Sequence, residues 1–396
     1  MIDVRQFLKE HSVDELNLRA EEYFSAIDDR SYLLSKPFAE ADDCAKLLIE
    51  FWAGLLGLEL RAGMSVLDFG PGSCWTSHFL TQMGCKVYPF DVSPSALEIG
   101  KARYRQHPPF GTQPEPEFVV YDGHNFPMPD ASIDRVLCMH ALHHVPNLGR
   151  VLEEMSRVLN DRGIAAFVEP GPRHSQGAES QFELGRGILE NDIVIEDIWR
   201  LAQAAGFKRI QLAVFPRKRT SLSLDQYSKL LAGDKAASRL VLEPIVEHAN
   251  DTRTFFLYKN ADTTIWSTDR NALFAELDVH IDGRVFRVAG RIVVNAKVKN
   301  LGPATWLQTL VAGRVCFGSH LKNLMTGEYL TDYSWDLLDP STKPIVPGQT
   351  VRVESSLPVP APGKYEISFD LVSDQVCWFA SMAGCRPVSF VIEVVG

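Results

Sequence analysis

The sequence predicts a doubly wound α/β sheet with a helical N-terminal cap, followed by an antiparallel β-sandwich. Three observations predict it. Up to about Lys259, short apolar runs alternate with amphipathic stretches, the pattern of a parallel sheet covered on both faces. From about Leu273 onward the apolar period changes to two, and turn signals such as PGQ (347–349) and APGK (361–364) separate the runs. Residues 1–62 read as mainly helical and precede the first core strand, so they are expected to pack as a cap or lid.

Taken in order, SVLDFG (65–70), KVYPFDV (86–92), EFVVYDG (117–123), DRVLCMH (134–140) and GIAAFVE (163–169) read as buried strands. The intervening stretches 74–84, 93–106 and 149–161 read as helices. In the last of these Val151, Leu152, Met155, Val158 and Leu159 form one apolar stripe. A helix over 195–207 closes at Gly206, and RIQLAVFP and TRTFFLYKN are further strand candidates. In the C-terminal part Ile292, Val294, Ala296 and Val298 alternate with polar residues, as do Tyr365, Ile367, Phe369 and Leu371, and then Val388, Phe390, Ile392 and Val394. The domains expected are 1–62, 63–262 and 270–396, with ADTTIWSTDRN (261–271) as linker.

Composition excludes several classes. The 396 residues carry 40 Lys plus Arg against 50 Asp plus Glu, a net charge of -10, which disfavours nucleic acid as a partner. No apolar run reaches the roughly 18 residues of a membrane span, and the charged N-terminus does not read as a secretory signal. Seven scattered cysteines without a CxxC suggest reduced thiols in a cytoplasmic protein.

The first strand ends in Asp68-Phe69-Gly70-Pro71-Gly72-Ser73. Two glycines there let the backbone turn tightly and approach a ligand at the carboxyl edge of the sheet. The lysine and Ser/Thr of a P-loop are missing, and Trp75 breaks the full dinucleotide fingerprint. Asp91 ends the next strand 23 residues after Asp68 (91 − 68), close to the offset of an acid that binds ribose hydroxyls. Asp122 ends the third strand, where it can accept from an adenine amine. Each acid could instead cap the following helix, as Asp91 before Ser93-Pro94 could do.

LDFGPGSCWTSHFL, FDVSPSALEIG, the DG of 122–123, PDASIDRVLCMHALHHV and RVLNDRGIAAFVEPG together resemble the class I S-adenosylmethionine-dependent methyltransferases over about residues 60–210. The resemblance implies a Rossmann-like fold and S-adenosyl-L-methionine as cofactor. It implies that Gly70 and Gly72, beside Asp68, wrap the methionine moiety. Asp91, with Val92 beside it, would hold the ribose, and Asp122 with Gly123 would meet adenine. Met139 and His140 would border the methionine end. Ser73 departs from the residue often found at its position. If the methyl acceptor is a hydroxyl, a base should take its proton. His143 or His144 is expected to do so, with Glu169 and His174 as the other candidates. The 140/143/144 spacing also suits imidazole ligands on one helical face, but with no evident partner no metal is expected. Glu190-Asn191-Asp192-Ile193 reads either as an acceptor-binding loop or as the cap of the next helix.

The C-terminal part has no catalytic cluster. Its aromatic residues Trp306, Tyr329, Tyr333, Trp335, Trp378 and Phe379 either stack on sugar rings or fill the core. GRVCFGSHLKN and PGQTVRVESSLPVPAPGKYEISFDLV resemble Ig-like sandwich modules of bacterial polysaccharide-export and glycosyl-transfer proteins. That resemblance implies O-methylation of a sugar of a surface polysaccharide or glycolipid precursor, with a glycan acceptor and glycan-assembly partners. Two alternatives remain open: a methyltransferase of a small diffusible metabolite whose sandwich forms a homo-oligomer, and a non-catalytic cofactor-binding protein.

Overall fold

The computed structural model describes all residues except 217–218, 262–263, 310, 340–342 and 383–384. They form two compact units, residues 1–261 and 262–396. Residues 262–263 of the expected linker lie outside the description. Thereafter the chain already belongs to the second unit: Ser267 Oγ donates to the Gly313 carbonyl at 2.6 Å, and Trp266 bridges to Thr305.

The first unit holds strands β1 (Ser65–Phe69), β2 (Lys86–Asp91), β3 (Val119–Val120), β4 (Ile133–Met139), β5 (Leu159–Pro170), β6 (Arg209–Ala213) and β7 (Thr252–Tyr258). Their order is β3-β2-β1-β4-β5-β7-β6, with β7 antiparallel to both neighbours and the rest parallel. After β3 the chain returns to place β4 on the other side of β1. The strand order therefore reverses between these two strands, and a crevice opens at their carboxyl ends. Alternation divides the core into two layers. Leu67, Phe69, Val136, Cys138 and Phe167 face one layer, and Val66, Leu137, Met139 and Val168 face the other.

The helices are α1 (Val4–Glu10), α2 (Val13–Ser25), α3 (Ser31–Ser35), α4 (Ala41–Leu58), α5 (Trp75–Gln82), α6 (Pro94–Gln106), α7 (Leu148–Val158), α8 (Ala178–Gly185), α9 (Ile195–Ala204), α10 (Leu224–Leu231) and α11 (Lys235–Asp251). The apolar stripe of α7 is buried against the first layer. The helix stops at Val158, short of the expected 161, because the chain enters β5 at once. The N-terminal residues are not a uniform lid. α4 covers the second layer, with Phe51, Leu55 and Leu58 buried there and Gly57 so close to Phe256 that any Cβ would overlap its ring. Only α1–α3 are left to serve as a cap. β3 is two residues long where a longer strand was expected; it is the sheet edge and pairs on one side only.

In the second unit a three-stranded sheet and a six-stranded sheet each place one face in a common core. The strands are β8 (Ala275–Ile281), β9 (Val285–Arg287), β10 (Arg291–Asn300), β11 (Val315–Asn323), β12 (Tyr329–Leu337), β13 (Thr350–Pro358), β14 (Gly363–Ser373), β15 (Cys377–Trp378) and β16 (Val388–Val395). The sheets run β13-β10-β8 and β12-β11-β14-β16-β9, and β15 pairs with β14. Ile292, Val294, Ala296 and Val298 of β10 meet Tyr365, Ile367, Phe369 and Leu371 of β14 in that core. Trp306 is fully buried, edge-on to Phe379 at 5.4 Å.

Candidate active site

The turn after β1 is built for close approach. Gly70 and Gly72 have φ of 62° and 52°, and a Cβ on Gly70 would lie 2.4 Å from the Ala141 Cβ at the end of β4. Above this turn opens a cleft of about 420 Å³ at the point where the strand order reverses. Gly70, Gly72, Asp91, Val92, Gly123, Met139, His140 and His144 all line it. The near side of α2 contributes Leu16, Asn17, Ala20, Tyr23 and Phe24 as a roof. That helix is fixed in place by Glu21, which accepts from Ser93 Oγ (2.6 Å) and Ser95 Oγ (2.5 Å) at the start of α6. Burial opposes ionisation of Glu21, yet these bonds hold its pKa below the usual value.

Two of the three strand-end acids are placed otherwise than expected. Asp68 is buried outside the cleft lining, and its Oδ2 accepts from Thr76 Oγ1 and Ser77 Oγ, both at 2.6 Å. Through that oxygen it ties the start of α5 to β1. Asp122 is exposed and caps its own turn, accepting from the His124 and Asn125 amides at 2.7 Å each. These two bonds hold its pKa down. Asp91 alone borders the cleft. Its Oδ1 accepts from the Ser93 amide (2.9 Å) and its Oδ2 from the Gly72 amide (3.3 Å), and burial raises its pKa to about 6.

The sequence reading missed two cleft residues. Tyr121 stacks on Phe90 with ring centroids 4.6 Å apart and lines the cleft beside Gly123. Asn147 donates from Nδ2 to the Gly123 carbonyl at 2.9 Å, while its buried Oδ1 has no hydrogen-bond partner among the described residues. The YDG run gave a hint of the first; nothing in HHVPN marks the second.

The histidines sort by partner. His140, at φ 53°, pairs through Nε2 with the buried Glu50 at 2.8 Å and borders the cleft. His143 is buried outside the lining, and its Nδ1 sits 2.7 Å from Glu169 Oε2. Burial and the neighbouring His144 lower the His143 pKa to about 4. Glu169 also accepts from the Ala141, Leu142 and His143 amides, so both its oxygens are engaged. Despite complete burial, the bond and charge of His143 keep its carboxyl near 2. It positions the turn Leu142–His144 and is not open to an incoming proton. His144 borders the cleft, with Nδ1 2.7 Å from the Leu189 carbonyl and 3.5 Å from Glu190 Oε1. His174 lies outside the lining and bonds to Glu190 Oε2 at 2.5 Å. Of the 190–193 run, Glu190 borders the cleft, Asn191 donates to the Val145 carbonyl, and Asp192 accepts from the Ser175 amide and hydroxyl. Asp192 therefore does not cap α9, whose N-cap is Val194.

Residues 67–167 match the family described as "Methyltransferase domain". The chain is similar to methyltransferase GfsG of Streptomyces halstedii, 31% identical over 113 residues that are 28% of this chain and 40% of that protein. It is also similar to 27-O-demethylrifamycin SV methyltransferase of Amycolatopsis mediterranei, 28% identical over 156 residues, 38% of this chain and 56% of that protein. Among solved structures, phosphoethanolamine N-methyltransferase 2 of Haemonchus contortus in complex with S-adenosyl-L-methionine gives a TM-score of 0.38 at 15% identity, covering 59% of this chain and 60% of that one. The matches to these two curated relatives thus span only 40% and 56% of their lengths.

Proposed function

We propose that this chain, whose residues 67–167 are a class I S-adenosylmethionine-dependent methyltransferase domain, transfers a methyl group to a hydroxyl held in the cleft, with His144 as general base. One observation carries the reading. A carbonyl only accepts, so the bond from His144 Nδ1 to the Leu189 oxygen fixes the ring proton on Nδ1 and leaves the lone pair on Nε2 of a residue that lines the cleft. Glu190 Oε1, 3.5 Å from Nδ1, stabilises the positive charge that proton uptake creates.

The cleft fits the cofactor. Gly72 leaves open the space towards Phe24 of the roof that a Cβ would fill, Asp91 offers oxygens to ribose hydroxyls, and the orphaned Asn147 Oδ1 offers an acceptor to the adenine amine. Bound there, S-adenosylmethionine supplies a methyl group already attached to a good leaving group. The remaining work falls to the protein: aligning the acceptor, taking its proton at His144 Nε2, and keeping water out beneath α2.

The acceptor we assign is a sugar hydroxyl of a glycan or glycolipid precursor. Its support is an aromatic group on the six-stranded sheet of the second unit. Trp378 lies so close to Gly318 that a Cβ there would come within 2.4 Å of the ring. His320 and Trp335 pack on Trp378 with centroids 4.1 and 6.0 Å away, and Tyr329 is more than half exposed beside His320. Aromatic faces of this kind stack on sugar rings. A second reading, a small diffusible metabolite, is favoured by the apolar cleft residues Leu16, Ala20, Leu33, Leu47 and Ile188, and by relatives named for rifamycin and demethylmenaquinone methylation. Among the described residues no helix is long and apolar enough to cross a membrane, and the seven cysteines are unpaired, in keeping with a cytoplasmic setting.

Calorimetric titration of the full chain with S-adenosylhomocysteine tests the base of this proposal, and absence of binding ends it. Methyl transfer from labelled S-adenosylmethionine is then compared between oligosaccharide and small phenolic or quinol acceptors. Label entering only the latter replaces the sugar assignment with the second reading. Binding without transfer to either class would make the protein a non-catalytic receptor.

A further inference from the structure

We infer that a site behind the cleft wall binds one divalent transition-metal ion of the zinc class through His143, His174 and Glu190. The three side chains come from separate segments: the turn Leu142–His144 after β4, the turn His174–Gln176 after β5, and the stretch that precedes α9. One ligand atom from each lies within 4.8 Å of the other two. A four-coordinate ion held at about 2.0–2.2 Å by nitrogen and oxygen keeps its ligands roughly 3.3–3.6 Å apart, so binding draws the most separated pair together by up to about 1.5 Å.

The surroundings match what such an ion needs. His143 Nδ1 is 2.7 Å from the buried Glu169, whose two oxygens already accept from the Ala141, Leu142 and His143 amides, so the carboxylate faces Nδ1 as an acceptor, Nδ1 carries the proton and Nε2 is the nitrogen left to ligate. Carboxylate support of a ligating imidazole is a recurrent feature of metal centres, where it fixes both tautomer and ring orientation. His174 ligates through Nε2 in place of its bond to Glu190 Oε2, and Ser180 Oγ lies 3.4 Å from Nδ1 and 3.3 Å from Nε2. Two imidazoles and one carboxylate suit Zn²⁺, Co²⁺ or Fe²⁺ and are poor company for Mg²⁺ or Ca²⁺, which prefer oxygen. Three protein ligands leave a coordination position for water. His174 and Glu190 also border a surface cleft with Glu179 and Ser180, which provides a route for entry.

The histidine spacing in the sequence pointed to a different set. His140 turns to Glu50 and His144 to the Leu189 carbonyl, so only His143 of that trio takes part. Neither His143 nor His174 lines the main cleft. Glu190 alone of the three borders that cleft, so the ion braces the wall that presents Leu189 and Glu190.

The test uses the full chain stripped with a chelator, with neither cofactor nor acceptor present, so its result is independent of the methyl-transfer proposal. Titration with ZnCl₂ is expected to give one ion per chain, and Co²⁺ to give visible d–d absorption typical of low coordination number. His174→Ala should weaken Zn²⁺ binding roughly 100-fold, and Glu169→Gln, which also loosens the turn that carries His143 and is compared only where circular dichroism shows it folded, roughly 10- to 100-fold. His174→Gln serves if the alanine variant does not fold, as judged by circular dichroism. No Zn²⁺ binding by the stripped chain, or binding unchanged in both His174 variants, overturns the site.

Discussion

At the scale of single residues, the three strand-end acids show how far sequence can be read. Spacing placed all three at strand ends, yet spacing does not record which of them borders the cleft. Asp68 is buried outside the lining with its Oδ2 on Thr76 and Ser77, Asp122 is exposed in its own turn, and Asp91 lines the cleft. Removing its acceptor in Asp91→Ala should cost about 1.5–3 kcal/mol of cofactor affinity, roughly ten- to a hundredfold, in an S-adenosylhomocysteine titration. The pH dependence has a definite sign. Burial raises Asp91 to about 6, whereas ribose hydroxyls donate to the ionised form, so binding lowers its pKa and releases a proton below that value. Affinity should be level from pH 7 to 8 and fall below about pH 6, approaching a tenfold loss per unit. Asp91→Asn should bind weakly with no such slope; a wild-type profile flat down to pH 5 would count against the ribose contact. His144→Ala, which removes the base and leaves the cofactor contacts, should lower kcat about 10²- to 10⁴-fold while the S-adenosylhomocysteine affinity changes little.

At the scale of elements, periodicity was enough for the parallel strands and for α5–α7, because apolar stripes and strand-end glycines are local signals. It was not enough for α4, whose apolar residues fit a lid as well as a sheet cover. What decides is the contact of Gly57 with Phe256, a residue almost 200 positions away. The turn Leu142–His144 is likewise a long-range product. Its three consecutive amides converge on Glu169, which sits at the end of a neighbouring strand. Glu169→Gln presents an NH₂ group to donors that need an acceptor, so the loss should approach that of breaking a buried pair, about 3–5 kcal/mol in urea unfolding. The acid limb follows from the same pair. Glu169 has its pKa lowered to about 2, so its stabilisation is complete above the usual carboxylate range and is lost as pH falls towards 2. His143, lowered to about 4, adds stability that is complete above its ordinary value of 6.5 and is lost as pH falls from there to 4. Stability of the wild-type chain should therefore decline from pH 6.5 downward in urea unfolding.

At the scale of the whole molecule, the change of apolar period near residue 265 marked two units, but it misjudged where the second begins. Residues 264–269 look like a polar linker because their bonds are made to distant loops: Ser267 Oγ donates to Gly313, and its amide to Thr305. A truncation that respects the fold ends at Ala261. Each unit has its own closed core, so each is expected to unfold as a separate cooperative transition. The proposed nucleoside contacts, from Gly70 to Asn147, all lie in the first. S-adenosylhomocysteine at about 100 times its Kd should therefore stabilise that unit by about 2.7 kcal/mol and leave the other transition where it was. Scanning calorimetry of the full chain, with and without the ligand, reads this directly. The fragment 1–261 should show the ligand-sensitive transition alone, with unchanged affinity and with small-acceptor turnover retained. If the ligand moves both transitions of the full chain together, the units are energetically coupled.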